Sequence, residues 1–343
     1  VLRGFEANRI LLVIDGVRVN NAIFRSGHLH NSLSIDPLSL ERTEVMFGPS
    51  SVGYGSDAIG GVIHFYSKEP FTNDIKKTDF SFSTSKNFGQ NISKNSFLFE
   101  YSNKKLALLQ SFSFSRFGDI IMGKKRYHGH KNWGKVFYYS QNTDTKYYPS
   151  PTINSNPNVQ KNTNYNQFDL LQKLVYKPSN NCKLLFNFQL SRSSNIARFD
   201  KLNQLNDDKL KYARWEYGPQ KRVLVSPQLL FFSEKDWIKS GKIILSLQTF
   251  SESRIHRKFD ELTRKTQKEE VQVYGLNGDF KGKIFNSDDL SYGVEVTHNT
   301  VESNAFSQDI EILENKIISL SAKTPITTRY PSDGSEYLTL AGY

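Results

Sequence analysis

A glycine-rich stretch, VMFGPSSVGYGSDAIGGVIHF at 45–65, contains the residue types that most readily suggest chemistry. Residues 53–58, GYGSDA, satisfy the G-x-G-x-x-A fingerprint, in which a loop and a helix N-terminus bind the phosphates of a dinucleotide. That fingerprint requires a strand running into the first glycine and a helix leaving the last. Here Pro49 and two serines intervene, and Gly60 and Gly61 would end a helix at once. The pattern argues against a nucleotide site and favours tight turns between strands.

No other constellation indicates catalysis or a resident metal. The seven histidines show no HExxH spacing, and the single cysteine, Cys182, excludes an internal disulfide and a multi-cysteine metal site. Glu41 and Glu44 lie close together, but no nucleophile, base and orienting group can be picked out by spacing. We therefore expect no enzyme, no catalytic residue, no metal ligands and no cofactor.

Composition narrows the classes of partner and of fold. The formal net charge of +11 suits nucleic acid, an anionic membrane surface or anionic ligands, and charge alone does not choose among them. Aromatic residues reach 13% while hydrophobic residues as a whole reach only 37%. Aromatics set among Ser, Asn and Lys indicate strands with one apolar and one polar face. The chain has no run of about 18 apolar residues, which excludes a transmembrane helix and leaves a β-barrel open.

From residue 78 onward, apolar residues recur at every second position, the period of a β-strand. Short strands are also predicted at 10–15, 42–47 and 62–66, on either side of the glycine-rich stretch. The alternating segments are 78–86, 96–102, 105–117, 165–177, 182–192, 222–232, 241–253, 270–282 and 289–301, and a tenth begins at 336–343.

After the first hairpin, the connections between these strands alternate in length. The long ones are predicted at 118–164, 193–221, 254–269 and 302–335. This alternation is typical of an outer-membrane barrel, whose long loops face outward and whose tight turns face the periplasm. A soluble β-sandwich is the alternative, but its strands usually have about 5–6 residues.

Three pieces of the N-terminal region carry a family resemblance: LRGF at 2–5, ILLVIDGVRVN at 10–20 and IDPLSLERTEVMFGPSSVGYGSDAIGGVIHF at 35–65. Their ordered series resembles the plug domain of TonB-dependent outer-membrane receptors. The resemblance implies a mainly β fold: the C-terminal half of a small α+β plug at 1–70, and at 71–343 the N-terminal part, about ten of 22 strands, of an antiparallel transmembrane β-barrel. The residues assigned to the plug motif are Arg3, Gly4, Asp15, Gly16, Glu41, Glu44, Gly48, Pro49, Tyr54, Gly55, Gly60 and Gly61.

The chain departs from the family pattern at two positions. Phe47 stands where the family often has Arg or Lys, and His64 stands where Asn is frequent. Arg3 is retained, but the loss of one plug arginine weakens the expectation of a buried charge lock with barrel carboxylates. Both ends read as cuts, so we expect a fragment without the signal peptide, the TonB-contacting box and the remaining strands.

The resemblance implies TonB-dependent active import of a scarce nutrient across the bacterial outer membrane. A ferric siderophore or haem is the expected cargo, carried rather than held as a cofactor; cobalamin and glycans are further cargoes of the family. The segment 17–37 matches the apical loop of the plug, where Arg suits carboxylate or catecholate oxygens and His suits haem iron. The candidate ligand contacts there are Arg18, Asn20, Asn21, Arg25, His28 and His30.

A second candidate lies in the long connection after the third predicted barrel strand. There KKRYHGHKNWG at 124–134 offers Tyr127, His128 and His130 as contacts for haem. The ordinary alternative for both sets is that the polar groups cap turns, hydrogen-bond internally or face solvent.

The expected partners follow from the same resemblance. They are the TonB–ExbB–ExbD complex, outer-membrane lipid and lipopolysaccharide, and a small-molecule metal chelate; nucleic acid is not expected, and the protein is expected to be a monomer. Two other interpretations stay open. A passive porin or adhesin barrel accounts for the strands but not for the plug motif, and a nucleic-acid-binding module accounts only for the charge.

Overall fold

The computed structural model describes residues 4–5, 9–23, 34–47, 54, 56–284 and 288–343. Four strands form a sheet that we call the N-terminal sheet: β1 (Leu11–Ile14), β2 (Val17–Arg18), β3 (Leu40–Met46) and β4 (Val62–Ser67), with short 3-10 helices at Pro37–Ser39 and Ser56–Ala58. Its order is β2-β1-β4-β3, with β1 and β4 parallel and the other pairs antiparallel. The strands predicted around the glycine-rich stretch are thereby confirmed.

The rest of the described chain is almost entirely β. Its one short helix is α1 (Phe199–Leu202). Among the described residues, none of the helices has the length and apolar character needed to cross a membrane. The strands are β5 (Lys77–Asn87), β6 (Ile92–Ser102), β7 (Leu106–Phe117), β8 (Ile120–Ile121), β9 (Tyr138–Tyr139), β10 (Thr152–Ile153), β11 (Val159–Gln160), β12 (Tyr165–Ser179), β13 (Cys182–Ser193), β14 (Ile196–Ala197), β15 (Leu205–Asn206), β16 (Lys209–Leu210), β17 (Tyr212–Tyr217), β18 (Lys221–Lys235), β19 (Ile238–Lys258), β20 (Thr263–Ile284), β21 (Asp288–Leu313), β22 (Lys316–Leu320), β23 (Thr324–Pro325) and β24 (Ser335–Gly342).

The long strands form one large antiparallel sheet. Its order is β22-β21-β20-β19-β18-β13-β12-β7-β6-β5, and β24 pairs with β21. Each of the ten predicted alternating segments coincides with one of the strands β5, β6, β7, β12, β13, β18, β19, β20, β21 and β24. The antiparallel meander predicted from the period of two is confirmed.

The prediction of a long loop at 254–269 is wrong. Strands β19 and β20 pair continuously up to His256 and Lys265, so the connection shrinks to residues 259–262. Here the side chains of β20 are polar on both faces, as in TRKTQKEE at 263–270, so the hydrophobic alternation stops while the backbone ladder continues. Strand pairing needs backbone hydrogen bonds and suitable cross-strand neighbours, and it does not require an apolar face.

The two faces of the large sheet differ in polarity, as β7 illustrates. Ser111 and Ser113 are buried on the inner face, whereas Phe112 and Phe114 are 42% and 48% exposed on the outer face. Outward phenylalanines of neighbouring strands touch edge to face, as Phe97 and Phe112 do, with ring centroids 5.9 Å apart. An apolar outer face and a polar inner face are the arrangement of a barrel wall set in lipid.

The N-terminal sheet packs against this inner face. Its core residues Leu12, Ile14 and Val17 form one cluster with Leu224 of β18 and Ile244 of β19, and Ile23 packs on Val271, Val273 and Val301 of β20 and β21. A small sheet is therefore enclosed along several successive strands of the wall.

Candidate functional site

The turn between β1 and β2 places a carboxylate at the centre of the contact between the two sheets. Asp15 and Gly16 have φ values of +51° and +88°, the left-handed pair that a two-residue hairpin turn requires. The carboxylate of Asp15 accepts hydrogen bonds from the backbone N–H and hydroxyl of Ser67 at 2.9 and 2.6 Å. Asn187 and Gln189 of β13 each donate to Asp15 Oδ2 at 3.0 Å. The turn is thus fixed both to β4 and to the wall.

Lys173 of β12 completes this centre. Its Nζ lies 3.2 Å from Asp15 Oδ2 and donates to the Ser67 carbonyl at 3.1 Å, and its side chain is only 1% exposed. A buried cation of this kind is stable only when paired and hydrogen-bonded. In this ion pair the polarity is opposite to the family expectation, because the N-terminal sheet supplies the anion and the wall supplies the cation. Sequence reasoning missed Lys173, although its spacing from Leu171 and Val175 on the inner face could have indicated it.

A second ion pair connects β2 with β21. Arg18 Nε lies 2.5 Å from Glu295 Oε1, and its Nη1 lies 3.4 Å from Asp57 Oδ2. The guanidinium also donates to the backbone carbonyl of Tyr54. The structure therefore places Arg18, predicted as a ligand contact, in an ion pair between the N-terminal sheet and the wall.

Neutral groups extend the polar contact around the lumen. Ser113 of β7 donates to Asp36 at 2.9 Å, Gln228 of β18 donates to the Asp15 carbonyl at 3.2 Å, and Gln248 of β19 donates to the Arg18 carbonyl at 2.7 Å. Two of these bonds come from the adjacent strands β18 and β19, and the third comes from β7, three strands further along the wall from β18. The N-terminal sheet is consequently held by hydrogen bonds to two separate parts of the wall.

His64 of β4 lies in an aromatic stack on the N-terminal sheet. Its ring stacks on Tyr66 with centroids 3.9 Å apart, and the guanidinium of Arg42 lies 3.8 Å from the centre of the Tyr66 ring. His64 Nε2 accepts from the Gly16 N–H at 3.1 Å, and Nδ1 lies 3.4 Å from the Tyr54 hydroxyl. Burial lowers the pKa of His64 to about 4, against the opposing effect of the Asp15 carboxylate. The ring is therefore neutral near pH 7.

Of the other ligand contacts predicted in the apical loop, the structure describes two, Asn20 and Asn21. Asn20 bonds within the N-terminal sheet, accepting from Leu12 N and donating to the Ile10 carbonyl, both at 3.0 Å. Asn21 accepts from Ile23 N at 3.1 Å, and its buried Nδ2 has no partner among the described residues. A ligand role for Asn20 and Asn21 stays a prediction. Arg25, His28 and His30 lie outside the described residues.

Arg222 of β18 faces this region and was missed by sequence reasoning. It is 3% exposed, donates to Gln189 Oε1 at 2.8 Å and to the Ser34 carbonyl at 3.2 Å, and leaves Nη1 without a partner among the described residues. Arg222 and Asn21 line the same small cavity of about 30 Å³. That volume accommodates a water molecule. Two buried hydrogen-bond donors, Arg222 Nη1 and Asn21 Nδ2, are therefore available beside the predicted apical loop, 17–37.

The loop candidates are solvent-facing. Tyr127 is 87% exposed, and the rings of His128 and His130 lie 5.5 Å apart, with His128 edge-on to Trp133. The neighbouring Arg126 fixes the turn by donating to the Trp133 carbonyl at 2.9 Å. The loop thus has local structure, and haem contact by these residues stays a prediction.

The base of the same long connection is attached to the wall strands. Asp144 lies 2.6 Å from Arg214 Nη1 and 3.4 Å from Arg264 Nη1, and Asn142 accepts from Arg257 at 2.6 Å. Arg214 is also paired with Glu216. These contacts fasten residues 142–144 to β17, β19 and β20.

The plug-motif residues that the structure describes lie in turns, in a short 3-10 segment or on β3. Gly4 and Gly61 have φ values of +85° and +131°, and Gly60 donates to the Arg9 carbonyl at 2.7 Å. Glu44 accepts from Arg42 at 2.7 Å, and Glu41 is exposed. Arg3, Gly48, Pro49 and Gly55 lie outside the described residues. In the part of the chain that the structure describes, no group of three or more His, Cys, Asp or Glu is arranged to hold a metal ion.

Comparison with known proteins agrees with this architecture. Residues 1–62 match the family model described as the TonB-dependent Receptor Plug Domain. The N-terminal part of the chain is therefore a plug domain of the TonB-dependent receptor type. It shares 44% identity over 63 residues with the vitamin B12 transporter BtuB of Vibrio vulnificus, which is 18% of this chain and 10% of that transporter. Three expectations drawn from the sequence are thereby confirmed: the resemblance to TonB-dependent receptors, the mainly β fold class and the outer-membrane location.

Other receptors give similar results. Identity is 37% over 87 residues with the ferrichrome outer membrane transporter/phage receptor of Escherichia coli, covering 24% of this chain and 11% of that protein. It is 42% over 64 residues with the hemin receptor of Yersinia enterocolitica, covering 19% of this chain and 9% of that receptor. The solved copper transporter OprC aligns over 94% of this chain and 43% of its own, with a TM-score of 0.62 and 12% identity. The chain thus shares its fold with OprC over 43% of the length of that transporter, while the sequence matches span about a tenth of each curated relative.

Proposed function

We propose that this receptor imports a scarce metal chelate, a ferric siderophore or haem, across the bacterial outer membrane with energy supplied through TonB–ExbB–ExbD. The observation that carries the proposal is the buried Asp15–Lys173 pair and the hydrogen bonds around it. They fix the N-terminal sheet, which we call the plug from here on, inside the barrel wall. A lumen filled in this way does not pass a chelate by diffusion. Import then requires work on the plug, and an outer membrane has no nucleotide pool of its own to supply it.

The inner surface near the plug apex favours an anionic cargo. Arg222 keeps one buried guanidinium nitrogen without a partner among the described residues, and Arg254 of β19 keeps another. Guanidinium groups bind carboxylate, catecholate and propionate oxygens through charge-assisted hydrogen bonds. The similarity to a ferrichrome transporter and a hemin receptor is consistent with an iron complex.

Uptake by cells that express the full-length receptor tests this function. Radiolabelled ferric siderophores of catecholate, hydroxamate and carboxylate type and haem are offered singly, with and without a protonophore. We expect one of these iron complexes to accumulate only in energised cells. Accumulation that is indifferent to the protonophore would favour a passive porin, and no accumulation of any iron complex would refute an iron cargo.

Arg222→Gln tests the binding surface. We expect the Kd of the transported complex, measured by quenching of tryptophan fluorescence, to rise about tenfold or more, because one charge-assisted hydrogen bond contributes about 1.5–3 kcal/mol. Arg116→Gln, at an exposed position of β7, is the matched control and should leave the Kd within about twofold. If haem is the cargo, replacing His128 and His130 by Ala should abolish the shift of its Soret band.

A further inference from the structure

The long connection between β7 and β12 contains a turn whose charged side chains are all positive. Residues 123–135, which we call the basic turn, include five Lys or Arg residues and no Asp or Glu. The connection has two carboxylates, and both are engaged outside the turn. Asp119 accepts from Thr163 N at 3.0 Å, and Asp144 lies 2.6 Å from Arg214 Nη1. Among the described residues, no carboxylate forms an ion pair with the basic turn, so its charge is not neutralised by the protein.

Two aromatic side chains are exposed among these cations. Tyr127 is 87% exposed and Trp133 is 60% exposed. Lys125 Nζ lies 5.9 Å from the centre of the Tyr127 ring, and the centroids of the His128 and Trp133 rings are 5.3 Å apart. Aromatic rings supply a large apolar contact area to a partner that packs on them. The basic turn therefore presents positive charge and apolar rings on one surface.

Arg126 fixes the shape of the basic turn. Its Nε donates to the Trp133 carbonyl at 2.9 Å, its Nη1 donates to the Gly123 carbonyl at 3.2 Å, and its Nη2 donates to Asn158 Oδ1 at 2.8 Å. These bonds join both ends of the turn to each other and to the returning part of the connection. A surface that is ordered before binding loses less entropy when a partner docks.

The basic turn lies beyond the end of the barrel wall. The last paired residues of β7 and β12 are Phe117 and Tyr165, and β8 and β11 pair past them, at Ile121 and Val159. The turn follows β8, on the side of the long connections, which faces away from the cell. It is therefore placed to meet molecules outside the cell rather than membrane lipid.

We propose that the basic turn docks an acidic polysaccharide, a sugar chain that carries carboxylate groups. Lys124, Lys125 and Lys131 pair with the carboxylates. Tyr127 and Trp133 pack against the apolar C–H faces of the sugar rings. Duplex DNA is a poorer fit, because the described turn contains neither a helix nor a two-stranded ribbon that could enter a groove. The inference is independent of the proposed import function, since it concerns attachment at the cell surface and not the passage of cargo.

Binding of a fluorescent galacturonate oligomer to the full-length receptor in phosphatidylcholine nanodiscs tests the proposal. We expect Lys124→Gln combined with Lys125→Gln to raise the Kd about fivefold or more by removing two ion pairs. Salt should also weaken binding to the unchanged receptor, because it screens exposed charges. Lys209→Gln combined with Lys316→Gln removes two exposed lysines of other connections and should leave the Kd within about twofold. No binding of the oligomer, or equal losses in the two double variants, would overturn the proposal.

Trp133 separates recognition of a sugar chain from a general attraction of anions. Trp133→Ala should raise the Kd about fivefold or more, whereas Trp133→Tyr keeps a ring and should stay within about twofold. Unchanged affinity in Trp133→Ala would refute the sugar contact. Duplex DNA of similar charge is the competing probe, and we expect it to bind more weakly than the oligomer. Tighter binding of the duplex, with an equal loss in Trp133→Ala, would identify nucleic acid as the partner and refute the proposal.

Discussion

Lys173 on β12 and Asp15 in the plug turn form an ion pair of 3.2 Å in which both side chains are almost completely shielded from solvent. Replacing Lys173 by Met leaves the carboxylate buried without its cation. We expect the free energy of unfolding to fall by about 3–5 kcal/mol, the usual loss when one member of a buried pair is removed. Urea unfolding followed by intrinsic fluorescence measures this.

Two variants serve as controls for the buried pair. Asp15→Asn combined with Lys173→Met removes both charges and should recover most of the lost stability. Lys183→Met breaks the partly exposed pair with Glu69 and should cost about 1 kcal/mol or less. Equal losses in Lys173→Met and Lys183→Met would contradict the assignment of Lys173 as the lock.

His64 predicts a dependence of stability on pH. Burial lowers its pKa to about 4, below the ordinary value of 6.5, so the folded state binds this proton less readily than the unfolded state. The contribution of the neutral ring is complete above about pH 6.5 and is lost as the pH falls through 4. Protonation would also remove the acceptor for the Gly16 N–H. His64→Asn should flatten the curve of stability against pH between 6.5 and 4.

The matched control for this titration is His130→Asn, in the exposed loop. It should leave the slope between pH 6.5 and 4 unchanged, because the loop side chain is open to solvent. A slope that survives in His64→Asn would show that other groups cause the acid sensitivity.

The close packing around Gly60 in the plug leaves no room for a side chain at this position. A Cβ atom there would lie 2.5 Å from Phe5 Cβ and 2.8 Å from the Arg9 carbonyl oxygen. Gly60→Ala should therefore lower the free energy of unfolding by about 1–3 kcal/mol, as overpacking does. Gly123→Ala meets no heavy atom within 4 Å and should change stability by less than about 0.5 kcal/mol. Denaturant titration of both variants measures the difference, and equal values would refute the close approach.

The contact of Asp144 with Arg214 predicts how firmly the long surface connection is held. Arg214→Gln should release residues 142–144 from the wall and loosen the backbone of the already exposed basic stretch at 124–135, which trypsin then cleaves more readily. We expect the first cleavage there to become about tenfold faster. Lys239→Gln, which removes an exposed pair with Asp236 in the opposite turn, is the control and should leave cleavage unchanged. The same rate in Arg214→Gln and the unchanged protein would show that other contacts hold the connection.

The parts of the fold that could be predicted are those that depend on short-range sequence patterns. The alternation of Ser and Phe in β7 fixes which residues face lipid, so the strand and both of its faces could be predicted. The Asp15–Gly16 turn is similarly local. The partners of Asp15 could not be predicted, because one of them, Asn187, lies 172 positions away in the sequence. Which wall strand faces Asp15 depends on how the plug is rotated within the wall, and neither the plug sequence nor the strand sequence specifies that rotation by itself. The polar ends of β19 and β20 were missed because pairing there is carried by the backbone.

The lengths of β19, β20 and β21 constrain how this protein can vary. A strand of 26 residues such as β21 spans about 88 Å at 3.4 Å per residue, far more than a bilayer needs. The part of this strand beyond the bilayer is therefore a stiff ribbon in fixed register. Within it, inserting one residue would exchange inward and outward side chains, so viable length changes should come in pairs or fall at the tip, residues 259–262. Natural variants of this ribbon should therefore differ mainly by substitution and seldom by length.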